Sequence, residues 1–453
     1  MNSAIRLSVL AAAMSCTFAT PIWAQDAAPS AAQQDLAEMR AQLATLAARI
    51  DQLEGELAQE KAANAAQDAT IAATAEAVAT PAPAPEPQVA ALEKKGGWSF
   101  KPRGRLMYDA GFTSVPDSTG RDDGFENEVR RARLGASGDV GGGFGYKFEI
   151  DFAGNEVEVA DAILTYGHGD LEVAIGHHNN FQSLEELTSS LHTTFIERAA
   201  FTDAFGFERR IGASVSYEKG IALAQAGVFT DNFDDTGTNN RGFDGRLVLM
   251  PKSGNTQFHF GGSIHFNELG EDDATVRYRQ RPLVHFTSER FVNTDNIDAD
   301  SEFGAGIEGA VISGPFHAAA EGYWQNVDVP TMGDNPTFFG GYAEIGYFLT
   351  KGDTRGYKGG KFDRTKPENP VGEGGTGSVQ LNLRYDYLDL NDAGIIGGKQ
   401  NGYLASLIWK PTDYTLFSLN YGKMDYTDAV HAKADGDTDY TVDAFGVRAQ
   451  VDF

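Results

Sequence analysis

The sequence has almost no cysteine and no long apolar run, and each absence excludes a class of protein. Its 453 residues contain a single cysteine, Cys16, so the chain cannot be a disulfide-stapled scaffold. No stretch approaches the roughly 18 consecutive apolar residues of a membrane-spanning helix. Any insertion into a membrane must therefore use β-strands, because only helices and closed barrels satisfy the backbone in lipid.

Positive charge is also scarce. The chain has 37 Lys and Arg residues against 64 Asp and Glu residues, and its net charge of −27 argues against nucleic acid as a partner. Glycine is abundant, with 52 residues, and 11% of residues are aromatic. The mean hydropathy of −0.33 resembles that of a soluble protein. It does not exclude a barrel, because lipid-facing residues alternate with polar lumen-facing residues in a barrel strand.

The first 24 residues have the pattern of a secretory signal peptide. Arg6 supplies the positive start, Leu7 to Phe18 the short apolar run, and Ile22 to Ala24 a cleavage site. We therefore expect residues 1–24 to be removed and the mature chain to begin at Gln25. Cys16 lies within the removed segment, and we expect it to have no function.

The next segment, residues 25–79, has the seven-residue repeat of a coiled coil. Seven apolar residues recur at alternating spacings of three and four: Leu36, Met39, Leu43, Leu46, Ile50, Leu53 and Leu57. The alternative is a single amphipathic helix on a globular surface. Residues 80–95 contain the proline-rich stretch from Thr80 to Pro87, which predicts an extended linker.

From about residue 96 the period of the apolar residues changes to two, the period of a β-strand. Aromatic and aliphatic residues alternate with charged ones from Tyr146 to Phe152, with polar ones from Phe258 to Phe266, and with both kinds from Val379 to Tyr387. The chain also ends on an aromatic residue, Phe453. A wide, water-filled barrel requires this arrangement of apolar outer and polar inner faces.

Seventeen segments of residues 96–453 have the pattern of a strand, but single-chain bacterial barrels have even strand numbers. The weakest candidate is Val276 to Phe286, because the face opposite its arginines would place Gln280 and Pro282 in lipid. Removing it predicts an all-β transmembrane barrel of 16 antiparallel strands in the cell outer membrane, preceded by a periplasmic coiled coil. We also expect short periplasmic turns to alternate with longer outer loops.

Two long outer segments, Gly176 to Phe207 and Asn267 to Asp300, are expected to fold into the lumen. The second carries Arg277, Arg279 and Arg281 at two-residue spacing, which places their side chains about 7 Å apart on one side of an extended chain. The candidate anion-binding residues of these segments and the strand that follows the first are Arg198, Arg209, Arg210, Arg277, Arg279, Arg281 and Arg290.

Arginine suits an anion path because its guanidinium stays cationic and its planar fork matches phosphate or carboxylate oxygens. Several weak sites in series also pass an ion better than one strong site. In the alternative, these arginines pair with the abundant Asp and Glu residues or with lipopolysaccharide.

Five stretches together resemble the phosphate-selective porins of the O and P type over most of residues 96–453. They are Val129 to Gly135, Ser183 to Ser190 with Phe195 to Arg198, Arg209 to Gly212, Ser313 to Phe316, and Tyr347 to Thr350. The resemblance implies a homotrimer whose inward loops line an anion path.

By the same resemblance, Arg198, Arg277 and Arg279 would face the lumen, and Arg130, Arg131 and Arg133 would lie at or near the wall. Arg131 and Arg133 are further candidates for anion binding. A lysine expected just after Ser190 is absent, and Leu191 and His192 stand there instead. The expected solutes are inorganic phosphate or other small anions.

No hydrolase motif such as G-x-S-x-G or H-E-x-x-H occurs, so we expect no enzyme activity, no cofactor and no metal site. Two alternatives remain: a general small-solute porin, and a structural tether that links the outer membrane to peptidoglycan through the coiled coil. The expected partners are outer-membrane lipid, lipopolysaccharide and two further copies of the chain.

Overall fold

A computed structural model describes residues 97–453 except 156, 234, 235, 272 and 273, together with the isolated helical positions Gln52, Gly55 and Lys61. Apart from those three positions, the predicted signal peptide, coiled coil and linker lie outside the described residues and stay predictions. Among the described residues, no helix is long and apolar enough to span a membrane.

Sixteen strands form the wall of a closed barrel. They are β1 (Lys101–Ser114), β2 (Gly124–Gly141), β3 (Phe144–Asp151), β4 (Glu158–His168), β5 (Leu171–Asn179), β6 (Arg209–Lys219), β7 (Ala222–Phe229), β8 (Arg241–Leu249), β9 (Thr256–Glu268), β10 (Ser301–Ser313), β11 (Phe316–Asp328), β12 (Thr337–Phe348), β13 (Ser378–Asp392), β14 (Ile395–Thr412), β15 (Thr415–Thr427) and β16 (Tyr440–Asp452). Each strand pairs antiparallel with its neighbours, and β16 pairs with β1 from Asp452 opposite Arg105 onward. The predicted 16-stranded barrel is confirmed.

The two-residue alternation of the sequence separates the two faces of the wall. On β3, Phe148 is exposed on the outside, whereas Glu149 and Asp151 are buried inside. On β13, Leu383 and Tyr385 face outward and the polar residues between them face inward. Each side chain follows the pleat of its strand, so charged residues line the lumen and apolar residues form the outer band.

The connections differ in length at the two ends of the barrel. The loop end, which follows the odd-numbered strands, carries two long inner loops: inner loop A (residues 180–208) and inner loop B (residues 269–300). Most connections at the opposite turn end are short, and the one from β8 to β9 includes a strand, Lys252–Ser253, that pairs with the beginning of β9. The expectation of uniformly short turns is wrong at one place, where residues 349–377 join β12 to β13.

This long connection, named the inner turn, enters the barrel from the turn end. Its strands Gly356–Lys358 and Lys361–Asp363 pair as a hairpin. Inside the lumen, the Tyr357 hydroxyl is hydrogen-bonded to Nδ1 of His259 of β9 at 2.6 Å. The carbonyl of Gly360 accepts a hydrogen bond from Arg246 of β8 at 2.7 Å. Polar wall side chains therefore hold the inner turn within the barrel.

The loops contain little regular structure. Inner loop A has two short helices, α1 (Leu184–Leu187) and α2 (Ala200–Ala204). In inner loop B, the strand Thr275–Val276 pairs with Ile297–Asp298, and Arg279–Gln280 pairs with Val292–Asn293. Residues 276–286 therefore belong to a loop, in agreement with their removal from the predicted wall. Single 3₁₀ turns lie at Asp117–Thr119 and Ala153–Asn155.

An apolar core fills one side of the barrel interior. Leu184, Phe195 and Phe201 of inner loop A pack with Tyr323 of β11 and Leu388 of β13. Burial of each large apolar side chain stabilises the packed loop by about 1.5–3 kcal/mol. The wall part of this core comes from β10 to β16, so the open part of the lumen lies against β1 to β8.

Candidate functional site

The open lumen contains two cavities. An upper cavity of about 320 Å³ lies between β2 and inner loops A and B. A lower cavity of about 620 Å³ lies between the inner faces of β1 to β8, inner loop A and the inner turn. Four residues line both cavities, and we call this set the constriction: Arg131, Glu186, Arg198 and Arg209.

Carboxylates of the wall hold inner loop A in place. Glu321 of β11 accepts the backbone N–H groups of Leu184 and Glu185 at 2.8 and 2.7 Å. Asp386 of β13 accepts the N–H of Ala200 at 3.0 Å. These bonds satisfy N–H groups at the beginnings of α1 and α2, which have no partner within their own helices. The loop that carries half of the constriction is thereby fixed to the wall.

Arg198 belongs to the constriction, but most of its hydrogen-bonding capacity serves the loop itself. It donates to the carbonyl oxygens of Glu185, Glu186 and Thr188 at 3.0, 3.1 and 2.8 Å. Its Nε also lies 3.4 Å from a carboxylate oxygen of Glu186. The structure thus gives this predicted lumen residue a structural role as well as a position beside the pore.

A β-bulge turns two consecutive arginines of β2 into the lumen. The pairing of β1 with β2 shifts register between Met107 and Tyr108, so that Arg130 is left without an opposite residue. Arg130 forms a bidentate pair with Glu197 of inner loop A at 2.7 and 3.1 Å. Arg131 also faces inward and is 8% exposed.

Arg131 differs from its neighbours in the partners it has. Arg133 is neutralised by Glu149 and Asp151 at 3.2 and 2.7 Å. Within the described residues, no carboxylate lies within 4.0 Å of Arg131, and its guanidinium donates a weak hydrogen bond to Met107 Sδ at 4.0 Å. Among the described residues, Arg131 is therefore a buried guanidinium whose desolvation no close carboxylate offsets.

The two adjacent arginines at the beginning of β6 have different positions. Arg209 lines the constriction and pairs with Asp161 at 2.9 Å. Arg210 lies opposite His178 in the β5–β6 pairing and lines neither cavity. Of this pair, the structure brings only Arg209 into the pore.

The four arginines of inner loop B lie together near the loop end. Arg277 and Arg279 are exposed, while Tyr278 between them is buried. Arg281 lines the upper cavity and lies 3.9 Å from Asp203. Burial and the nearby charges of Arg281, Arg279 and Arg277 lower the pKa of Arg290 to about 10. Two carboxylates share this region with the four arginines, because Arg277 lies 3.4 Å from Asp295 and Arg281 lies beside Asp203.

Several cations of the lower cavity are absent from the sequence-based prediction. Ten Lys and Arg residues but only four Asp and Glu residues line this cavity, whereas the upper cavity has five of each sign. The additional cations are Arg103, Arg105, Lys147, Arg246, Lys361 and Arg364. Arg103 and Arg105 could have been found, because they alternate with the outward residues Gly104 and Leu106.

Two of these additional cations have no acidic partner. Within the part of the chain that the structure describes, no carboxylate lies within 4.0 Å of Arg103 or Lys361. The other four are all paired: Arg105 with Glu149, Lys147 with Asp161, Arg246 with Glu308 and Arg364 with Asp452. Arg103 of β1 and Lys361 of the inner turn thus add positive charge to the lower cavity.

The inner turn supplies positive charge near the position where a lysine was expected. Leu191 and His192 both line the lower cavity, and His192 Nε2 lies 3.7 Å from Asp363. Burial and the charges of Lys410 and Arg364 lower the pKa of His192 to about 4, so its ring is neutral near neutral pH. Arg364 places a cation in this neighbourhood instead.

Residues 100–453 match the family of phosphate-selective porins O and P. A protein of Caulobacter vibrioides, itself described as uncharacterized, is 45% identical over 99% of this chain and 96% of its own length. Among solved structures, an anion-selective porin from Comamonas acidovorans has a TM-score of 0.50 at 14% identity, covering 78% of this chain and 99% of that one.

The trimer form of OmpT from Vibrio cholerae also has a TM-score of 0.50, at 13% identity, and covers 79% of this chain and 100% of that one. At these identities the two structures support the barrel fold alone. The family match covers most of the chain and includes every candidate arginine. The chain therefore belongs to the phosphate-selective porin O and P family of outer-membrane channels.

Proposed function

We propose that the chain forms a passive, anion-preferring channel of the outer membrane that passes inorganic phosphate and other small anions. The observation that carries the proposal is Arg131, a buried cation of the constriction without a carboxylate within 4.0 Å among the described residues. Arg131 lines both cavities, so a solute that moves from one to the other would pass close to this charge. At 4 Å and an effective dielectric constant of about 20, one such charge attracts a monovalent anion by roughly 4 kcal/mol.

The positive charges on either side of the constriction support a series of weak anion sites rather than one strong site. The arginines of inner loop B lie near the loop end, and the unpaired Arg103 and Lys361 lie in the lower cavity. An anion would leave one cation for the next, so no single site needs to hold it strongly. The loop end would face outside and the turn end the periplasm, as in other outer-membrane barrels.

A general small-solute porin is the second candidate, and the charge balance of the upper cavity favours it. Five carboxylates line that cavity beside five arginines, and such a mixture does not by itself discriminate between anions and cations. The discrimination in our proposal therefore depends on the constriction and the lower cavity, where cations outnumber carboxylates.

We further propose a homotrimer in contact with lipid and lipopolysaccharide. The trimer form of OmpT supports a trimer by analogy. The heptad segments of the three chains could associate into one coiled coil, and this coiled coil could also contact peptidoglycan. The tether function is compatible with the channel, and a chain without residues 25–79 would separate the two.

The zero-current potential of purified protein in a planar bilayer tests the channel proposal. In a potassium chloride gradient, we expect the sign of the potential to show that chloride permeates better than potassium. Added phosphate should reduce the chloride current. A potential near zero or of the opposite sign would favour the general porin, and no conductance would favour the tether.

A further inference from the structure

Glu186 is the one carboxylate that lines both cavities among the described residues. It lies in α1 of inner loop A and is 7% exposed. Around it are the three cations of the constriction: Arg131, Arg198 and Arg209. A negative charge where the two cavities of an anion path meet opposes permeation by repulsion, so its position there requires an explanation.

The contacts of the Glu186 carboxylate are few and long. Asn179 Nδ2 donates to Oε1 at 3.2 Å, and Arg198 Nε lies 3.4 Å from Oε2. By contrast, Glu197 of the same loop accepts two hydrogen bonds from Arg130 at 2.7 and 3.1 Å. Short, bidentate bonds hold a carboxylate firmly, whereas bonds at 3.2 to 3.4 Å hold it weakly.

Glu186 is also not needed to hold its arginine. The three backbone carbonyls of inner loop A that accept hydrogen bonds from Arg198 fix that side chain. Burial raises the pKa of Glu186, although the charges of Arg198, Arg209 and Arg131 oppose this shift. The cations of the constriction therefore offset the cost of burying the Glu186 carboxylate only in part. The weakly held side chain of Glu186 can shift when a second anion enters.

We propose that Glu186 determines how long an anion stays in the constriction, as an internal competitor of the permeating anion. In the absence of a solute, its carboxylate partly neutralises the cluster of Arg131 and Arg209. An entering anion competes with the Glu186 carboxylate for these two guanidinium groups. The negative charge of Glu186 then repels the anion towards the next cation. This inference rests on the proposed anion channel and adds the residue that limits anion affinity. A channel conducts well only if its sites release the ion as readily as they bind it.

The test compares phosphate block of chloride current in wild type and Glu186→Gln. The substitution removes the charge but keeps the side-chain shape and the backbone N–H that donates to Ser183 Oγ. We expect the phosphate concentration for half-block to fall about tenfold, because one repulsive charge close to the bound anion is removed. The blocking events should lengthen correspondingly.

Two matched variants remove a carboxylate from one cavity only. Glu158→Gln acts in the upper cavity and Glu172→Gln in the lower cavity. We expect each to change half-block by less than about twofold, because a more distant charge is screened by water and salt. Glu186→Asp keeps the charge and should stay much closer to wild type than Glu186→Gln. Heat-modified gel migration verifies that each variant forms a folded barrel.

The outcomes separate the two levels of the proposal. A selective increase of phosphate affinity in Glu186→Gln supports the role of Glu186. Equal effects in Glu186→Gln, Glu158→Gln and Glu172→Gln would overturn it, because the carboxylate would then act only through the net charge of the lumen. A wild-type channel without anion preference would refute the proposed function itself, and this inference with it.

Discussion

The most specific prediction from the structure concerns Arg131, the unpaired cation of the constriction. In Arg131→Ala, the channel loses a cation that no carboxylate within 4.0 Å neutralises among the described residues. The bare attraction of roughly 4 kcal/mol for an anion at 4 Å is an upper value, because water, salt and the neighbouring charges screen it. If about one third of this attraction remains after screening, its loss in Arg131→Ala lowers the ratio of chloride to potassium permeability roughly tenfold.

The matched control is Arg210→Ala, which also removes one positive charge from the barrel but from a position that lines neither cavity. Zero-current potentials in a salt gradient give the permeability ratio for both variants. Arg131→Ala should also fold well, because the loss of a buried unpaired charge does not destabilise a protein by itself. Equal permeability ratios in the two variants would refute the assignment of Arg131.

Three further predictions concern other parts of the lumen. Lys361→Ala should raise the phosphate concentration for half-block about threefold, because it removes an unpaired cation of the lower cavity; Lys366→Ala, outside that cavity, serves as its control in the same current measurement. Because His192 has a pKa of about 4, its ring gains a proton only in acid, so anion preference should rise as the pH falls towards 4, and His192→Asn should remove that part of the rise. Glu321→Ala removes the two carboxylate oxygens that accept N–H groups of inner loop A, and each N–H left without a partner costs about 1–3 kcal/mol. The loosened constriction should increase the noise of the single-channel current.

The wall of the barrel could be predicted from the sequence because each strand repeats one physical rule. On β3 and β13, apolar residues that face lipid alternate with polar residues that face water, and this period is visible without any tertiary information. The rule also identified the false strand, since Gln280 and Pro282 cannot both face lipid. In the structure Gln280 is buried within inner loop B.

The interior of the barrel was less predictable, because it depends on contacts between distant segments. The inner turn has no long alternating pattern, and it is held by wall residues such as His259 and Arg246. The bulge that turns Arg130 inward arises from the pairing of β2 with β1. A local pattern shows neither feature.

The partners of the arginines could not be predicted for the same reason. The sequence shows Arg130, Arg131 and Arg133 as equivalent, yet two of them have carboxylate partners and Arg131 has none within 4.0 Å among the described residues. Glu197 and Asp151, which make the difference, come from inner loop A and β3. Only the folded arrangement distinguishes a structural ion pair from a site open to solutes.

The position of a bound anion tests the central claim most directly. Crystals of the wild-type protein soaked in bromide would show the anion by its anomalous scattering. The account predicts a bromide peak at the guanidinium of Arg131 in the constriction, and its loss in Arg131→Ala. Bromide found only at the exposed arginines of inner loop B, with none at Arg131, would contradict the account.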